Sequence, residues 1–185
     1  DIHFDMTRAP LDEIREVEGV DEVVGRIYIK TQTSVAGEKF KTHWLASPYY
    51  DEKPHSRING YQLTEGEYVS SPDARECMVG NLFSEENSVD VGDELELIYN
   101  NITLDLEVSG IAASPEYIYV VGEEGWPEPS LLIPLFTTYE LARDVLDLDE
   151  GAYNEVLITV EEGYDSEEVK ERVEEVLTGS GVRIT

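Results

Sequence analysis

Residues 154–185, NEVLITVEEGYDSEEVKERVEEVLTGSGVRIT, read as a strand, a helix and a strand. Val156, Ile158 and Val160 alternate with other residues, the period of a half-buried strand. Asp165 follows as a helix cap, and Glu168 completes a capping box with it. Val169, Val173, Val176 and Leu177 then mark one apolar stripe. Gly179 and Gly181 end the helix, and VRIT closes as a strand. The same plan opens the chain in residues 1–33, DIHFDMTRAPLDEIREVEGVDEVVGRIYIKTQT. Ile2, Phe4 and Met6 alternate there. Pro10 suits a first helical turn, and Asp12 and Glu13 lie where the helix dipole favours acid. Leu11, Ile14 and Val17 share a face, Gly19 stops the helix, and VVGRIYIKT supplies the next strand. Two such units, one at each end, can pair into a single sheet backed by two helices, with the chain termini in the same layer.

Between them the texture is richer in strands. KFKTHWLAS reads as a strand, and RECMVGNLFSEENSV as a strand and a short helical turn. DELELIY and ITLDLEVSGIA flank Asn100-Asn101, residues that tolerate the left-handed backbone of a tight hairpin. SLLIPLFTTYELARDVL supplies another strand and a helix opened by a Thr137–Glu140 capping box. The expected fold class is α+β: a split βαβ/βαβ subdomain formed by both chain ends, residues 1–40 with 151–185, and an inserted mainly-β subdomain over 41–150.

Composition narrows the function classes. The 185 residues include 41 Asp and Glu against 13 Lys and Arg, a formal net charge of −28. Such a surface repels nucleic acid and anionic headgroups, which excludes both as direct ligands. Lysine is scarce, with only Lys30, Lys39, Lys41, Lys53 and Lys170. Excess acid with few lysines suits a salt-adapted protein, because self-repulsion is screened over about 3 Å at 1 M salt. A hydrophobic fraction of 41% is too high for a disordered chain. No run approaches the roughly 20 apolar residues of a membrane helix. The pattern fits a soluble protein, or a domain set between membrane spans.

The catalytic inventory is nearly empty, so neither an enzyme nor a cofactor is expected. Walker A, HExxH, GxSxG and dinucleotide fingerprints are all missing. TGSGV around Ser180 follows a helix and reads as a glycine-rich cap. Cys77 has no accompanying His/Asn pattern and reads as a half-buried structural thiol. His3, His43 and His55 show no spacing for joint metal binding. Asp147, Asp149, Glu150 and Glu155 lack the spacing of a calcium loop and read as a solvated acidic face. Asn101-Ile102-Thr103 is an N-glycosylation sequon on the expected hairpin turn, usable only in an extracytoplasmic setting.

The remaining candidates lie in GIAASPEYIYVVG, residues 110–122, and in EEGWPEPS after it. Tyr117, Tyr119 and Trp126 are candidate interaction or subdomain-junction residues, since amphipathic aromatics are favoured at interfaces. The bland alternative is a strand continuing through SPEYIYVV with Ile118 and Val120 in the core.

These residues carry a family likeness. VGDELELIYNNITLDLEVSGIAASPEYIYVV, residues 91–121, resembles the extracytoplasmic domain of MacB/FtsX-type ABC transporter permeases, with its Val-Gly-Asp entry, hairpin and V-x-G-I strand. LDEIREVEGVDEVVGRI, LTEGEYVSSPDARECMVGNLFSEENSVDVGD and SLLIPLFTTYELARDVLDLDEGAYNEVLITV are similar to other segments of that domain, in the same order. The resemblance implies a split α/β subdomain, membrane-proximal or porter-like, with a β-rich insertion. It implies a place at the cell membrane, on the outer face between the first and second transmembrane helices. The implied partners are those flanking helices, a second permease subunit, a cytoplasmic ATPase subunit and an extracytoplasmic substrate or partner of unspecified kind. In that family, ATP hydrolysis is coupled to movement of the outer domain. Two other classes compete: an extracytoplasmic ligand-binding sensor domain, which needs a deep polar pocket, and a secreted hydrolase, which needs buried carboxylates in a cleft. The acidic surface predicts a monomer for the isolated domain.

Overall fold

The computed structural model describes residues 1–50, 58–118 and 131–185. Its α+β architecture is built around one long strand. β2 (Val20–Val35) runs for 16 residues and changes partners part-way. Its first part pairs with β9 (Ala152–Val160) as far as Arg26↔Glu155, and β9 pairs on its other side with β1 (Ile2–Arg8). From Ile27 onward β2 pairs instead with β3 (Glu38–Ser47), beginning at Ile27↔Ala46. The hand-over thus falls between adjacent residues.

The end sheet, β1-β9-β2, is covered on one face by α1 (Leu11–Arg15) and α4 (Ser166–Gly179). Ile14, Val169, Val173 and Leu177 are fully buried there with Phe4, Val23 and Val156, all within one cluster of core side chains. Fully burying an aliphatic side chain is worth about 1.5–3 kcal/mol relative to exposing it. The α4 cap is as expected, the Asp165 carboxylate accepting from the N–H groups of Glu167 and Glu168. The first helix is shorter than its periodicity suggests. It ends at Arg15, and Gly19 turns the chain into β2 at φ +92°. The expected closing strand VRIT is reduced to a bridge: Phe4 faces Ile184, and the Thr185 N–H donates to the His3 carbonyl at 3.0 Å. First and last residues therefore lie side by side.

The rest of β2 helps to close a ring. It pairs with β3, β3 with β8 (Leu132–Thr138), β8 with β5 (Glu76–Gly80) and β5 with β7 (Ile102–Ala113). β7 then pairs with β6 (Glu94–Tyr99), and β6 returns to β2 over Val35↔Leu95 to Gln32↔Ile98. A closed ring has few free edges, one way a sheet protein avoids edge-to-edge association. Alternate residues fill it: Ile27, Ile29, Trp44, Ala46, Cys77, Val79, Leu95, Leu97, Leu106, Val108, Ile133 and Leu135 are all buried. Cys77 is completely buried rather than half-buried. Burial, and after it the charge of Glu76, raises its thiol pKa, so it stays protonated.

Polar groups inside the ring are paired. Thr42 donates to Thr33, both through Oγ1, at 2.7 Å, and Trp44 Nε1 donates to Thr137 Oγ1 at 2.8 Å. That second bond explains a one-residue shift from the expected cap. With Thr137 turned inward, Thr138 caps α3 (Tyr139–Val145) by accepting from the Leu141 N–H. The β6–β7 hairpin turns at Asn100, φ +52°, as its sequence suggests. A short edge strand, β4 (Gln62–Gly66), pairs outside the ring with β7, and α2 (Asn81–Asn87) follows β5. Gly110 permits the β4 approach: a Cβ there would lie 2.5 Å from the Glu67 carbonyl. Among the described residues no helix is long and apolar enough to cross a membrane.

Candidate functional site

The second face of the end sheet carries charge where the first is apolar. Cross-strand pairing aligns His3 on β1, Glu155 on β9 and Arg26 on β2 in one row. Arg26 and Glu155 are 3% and 1% exposed, so neither charge has water to solvate it. Arg26 Nε donates to Glu155 Oε2. Its other two nitrogens grip Glu116 in a fork, Nη1 to Oε2 at 2.7 Å and Nη2 to Oε1 at 2.9 Å. Asn59 Nδ2 donates to Glu116 Oε1 at 3.2 Å, and Ile58 packs against Val24 and Leu157 beside the row. Burial works against the charged guanidinium. The hydrogen bonds and charges of Glu116 and Glu155 outweigh it, and the Arg26 pKa is raised.

Glu116 belongs to the ring side of the molecule. It sits in a single 3-10 turn, Pro115–Tyr117, that follows β7. The strand expected through SPEYIYVV stops here for a local reason. Pro115 has no N–H to continue a ladder, and the Ser114 hydroxyl accepts from the Glu116 N–H at 3.3 Å. The turn aims Glu116 at Arg26 and reverses the expected burial of Ile118, which is 59% exposed. Arg26 therefore ties three chain segments together at the point where β2 changes partners.

Asn154 seals the same hand-over. Its side-chain Oδ1 accepts from the Tyr28 N–H and its Nδ2 donates to the Tyr28 carbonyl, both at 2.7 Å. An amide side chain thus stands in for the backbone ladder one step beyond the end of β9 pairing.

An aromatic layer covers the row. His43 Nδ1 lies 3.2 Å from the Tyr28 hydroxyl and 3.0 Å from the Tyr117 hydroxyl. Serving as acceptor there requires an unprotonated Nδ1. Burial, and then the charge of Lys30, lowers the His43 pKa to about 4. Burial likewise raises the pKa of the Tyr117 phenol. Tyr117 meets Phe136 edge-on, with ring centroids 6.4 Å apart, at the margin of a second small core of Leu45, Tyr61, Met78, Ala112 and Phe136. Tyr117 thus lies between His43 and Phe136. Tyr119, Trp126 and His55 lie outside the described residues.

Asp1, His3 and Glu155 each bring one ligand atom within 4.8 Å of the others. One Glu155 oxygen is already taken by Arg26, and His3 Nδ1 sits 3.5 Å from the other, so we read the trio as the outer end of the ion-pair row. A cavity beside Tyr117, lined by Gly80, Phe83, Ala112, Pro134 and Phe136, holds about 10 Å³, room for one water and no larger ligand.

The pattern of one long strand shared by a helix-backed sheet and a closed ring has counterparts. The family model of the MacB-like periplasmic core domain matches residues 3–176. The chain belongs to this family. It is the extracytoplasmic domain of a MacB-like ABC transporter permease. One relative, named as an ABC transporter permease of Methanocaldococcus jannaschii, is 27% identical over 180 residues. The match covers 94% of this chain and 40% of that protein, so the chain spans well under half of its relative. The periplasmic region of MacB from Actinobacillus actinomycetemcomitans has a similar fold, with a TM-score of 0.56 at 12% identity over 98% of this chain and 79% of that one. The extracellular domain of YknZ, a noncanonic ABC-type transporter from Gram-positive bacteria, gives 0.58 at 11% identity over 95% and 86%. A domain of a permease-like protein from Porphyromonas gingivalis gives 0.56 at 12% identity over 100% and 78%.

Sequence reasoning did not single out Arg26, Glu116 or Asn154 for this site; it weighed His43 only as a metal ligand and read Glu155 as part of a solvated acidic face, whereas Glu155 is 1% exposed and paired with Arg26. One signal was available. Arg26 interrupts VVGRIYI and Glu155 interrupts YNEVLI, and a lone charge in an apolar strand asks for a buried partner.

Proposed function

We propose that this MacB-like domain is a non-catalytic coupling element, which passes movement between the cytoplasmic ATPase side of its permease and a substrate or partner on the outer face. The observation that carries this is the Arg26 junction, whose buried guanidinium joins the terminal sheet to the 3-10 turn of the ring. The adjacency of the first and last residues supports it, because flanking membrane segments would then load the same edge of the end sheet. The division into residues 1–40 with 151–185 and an insertion over 41–150 is part of this proposal. So are the second permease subunit, the ATPase subunit, and the roles of Tyr117 as a junction residue and of Tyr119 and Trp126 as partner contacts.

The test locks the junction in the intact transporter. Ile58→Cys with Leu157→Cys joins two side chains that pack together, one from each part, and Glu22→Cys with Thr159→Cys pins β2 to β9 as a control within one sheet. With the permease and its ATPase in membrane vesicles, ATP hydrolysis is measured oxidised and reduced. Coupling through the junction predicts that oxidation of the first pair lowers the rate and that reduction restores it. Equal rates in both states, with the disulfide verified by mass, would overturn the proposal.

A further inference from the structure

We propose that Asn101 is an N-glycosylation acceptor on the outer face of the ring. Asn101-Ile102-Thr103 is the only Asn-x-Ser/Thr sequence in the chain. The fold puts it where a glycan can be attached without disturbing the core. Asn101 is exposed in the turn between β6 and β7, next to Asn100 in the left-handed conformation. Among the described residues its amide has no hydrogen-bond partner. Thr103 is also exposed and its hydroxyl unpartnered, on the outward side of β7 with Asp105 and Glu107, while Leu104 and Leu106 point into the ring. Tyr99↔Ile102 and Ile98↔Thr103 are the last two pairs of this hairpin, so local opening at its tip frees the whole sequon. Such fraying has a free energy well below that of global unfolding.

The chemistry needs a donor of one class, a lipid-phosphate-linked oligosaccharide on the extracytoplasmic side of the membrane. The Asn101 side-chain nitrogen attacks the anomeric carbon and forms the N–C bond. The C–O bond to the lipid phosphate breaks, the phosphate departs with its electron pair, and the amide proton passes to base. No redox partner is involved. The Thr103 hydroxyl is the recognition element of the sequon. A glycan here adds uncharged, strongly hydrated bulk to a surface that otherwise relies on carboxylates.

This inference rests on the extracytoplasmic placement, so the experiment reports on both. The full-length permease is purified from membranes of its own host, and the tryptic segment containing Asn101 is measured intact by mass spectrometry. The expected result is a glycan mass on Asn101 that is lost in Asn101→Gln and Thr103→Val and retained in Thr103→Ser. In parallel, Asp105→Cys is probed in intact cells with a membrane-impermeant thiol reagent; Cys77 is buried and gives no background from this domain. An unmodified segment with Asp105→Cys labelled overturns the glycosylation proposal alone. An unmodified segment with no labelling overturns it together with the extracytoplasmic placement.

Discussion

Replacing Arg26 with Met tests the junction at its centre. The substitution keeps much of the aliphatic stem and removes the guanidinium. Glu155, 1% exposed, is then left facing only His3 at 3.5 Å, whereas Glu116, 19% exposed, can turn toward water. Most of the cost therefore falls on one stranded carboxylate. Breaking a buried ion pair from one side typically costs about 3–5 kcal/mol. Each kcal/mol shifts Tm by about 2–4 °C in chains of 150–250 residues, so the expected loss is about 6–20 °C. Thermal and urea unfolding should be followed in molar KCl, where surface repulsion is screened. In Arg26→Met with Glu155→Leu both charges are gone, and stability should recover most of the loss, since apolar replacement of a buried pair is often near neutral. A single variant within about 1 kcal/mol of the parent, or a double variant whose cost equals the sum of the singles, would refute the reasoning.

Three further outcomes follow from neighbouring residues. Gly25→Ala should destabilise by about 1–3 kcal/mol, because its Cβ would sit 2.6 Å from the Tyr153 ring, itself packed at a tilt on Tyr139 with centroids 4.7 Å apart; Tyr153→Leu in the same background should relieve part of the loss, and denaturant midpoints report both. His43 takes up its proton near pH 4 when folded but near the ordinary value of 6.5 when unfolded, so its contribution is complete above about 6.5 and is lost as pH falls toward 4. His43→Gln should flatten that limb of the stability–pH curve, and an unchanged slope would count against the assignment. Asn154→Leu removes both bonds to Tyr28, and faster amide exchange at Tyr28, with the rest of β9 unaffected, is the expected signature.

Much of the fold is legible because its signals are local. The Asp165 cap, the valine and leucine stripe of α4 and the Asn100 hairpin each need only a few consecutive residues. The pairing of the two ends follows from the repeated strand–helix plan. The ring is less visible, because it closes through parallel pairings of β3 with β8 and of β5 with β7, strands far apart in sequence. The junction is harder still: Arg26 lies 129 residues from Glu155 and 90 from Glu116. Ser114-Pro115 was open to two readings. The aromatic and β-branched run suggests a continuing strand, and the missing proline N–H with the serine cap produces a turn instead.

β2 joins the end sheet to the ring with no loop between them. At about 3.3 Å per residue its 16 residues extend for roughly 50 Å, embedded in the end sheet at one end, with an irregularity between Val20 and Glu22, and in the ring at the other. The other passage between these parts, from α3 into β9, is a turn in which Asp147 and Gly151 both take left-handed conformations. That turn is itself held, the Leu148 N–H donating to the Arg143 carbonyl at 2.9 Å and the Gly151 N–H to the Tyr139 hydroxyl at 2.9 Å. The Arg26 fork sits at the very residue where that strand passes from one sheet to the other.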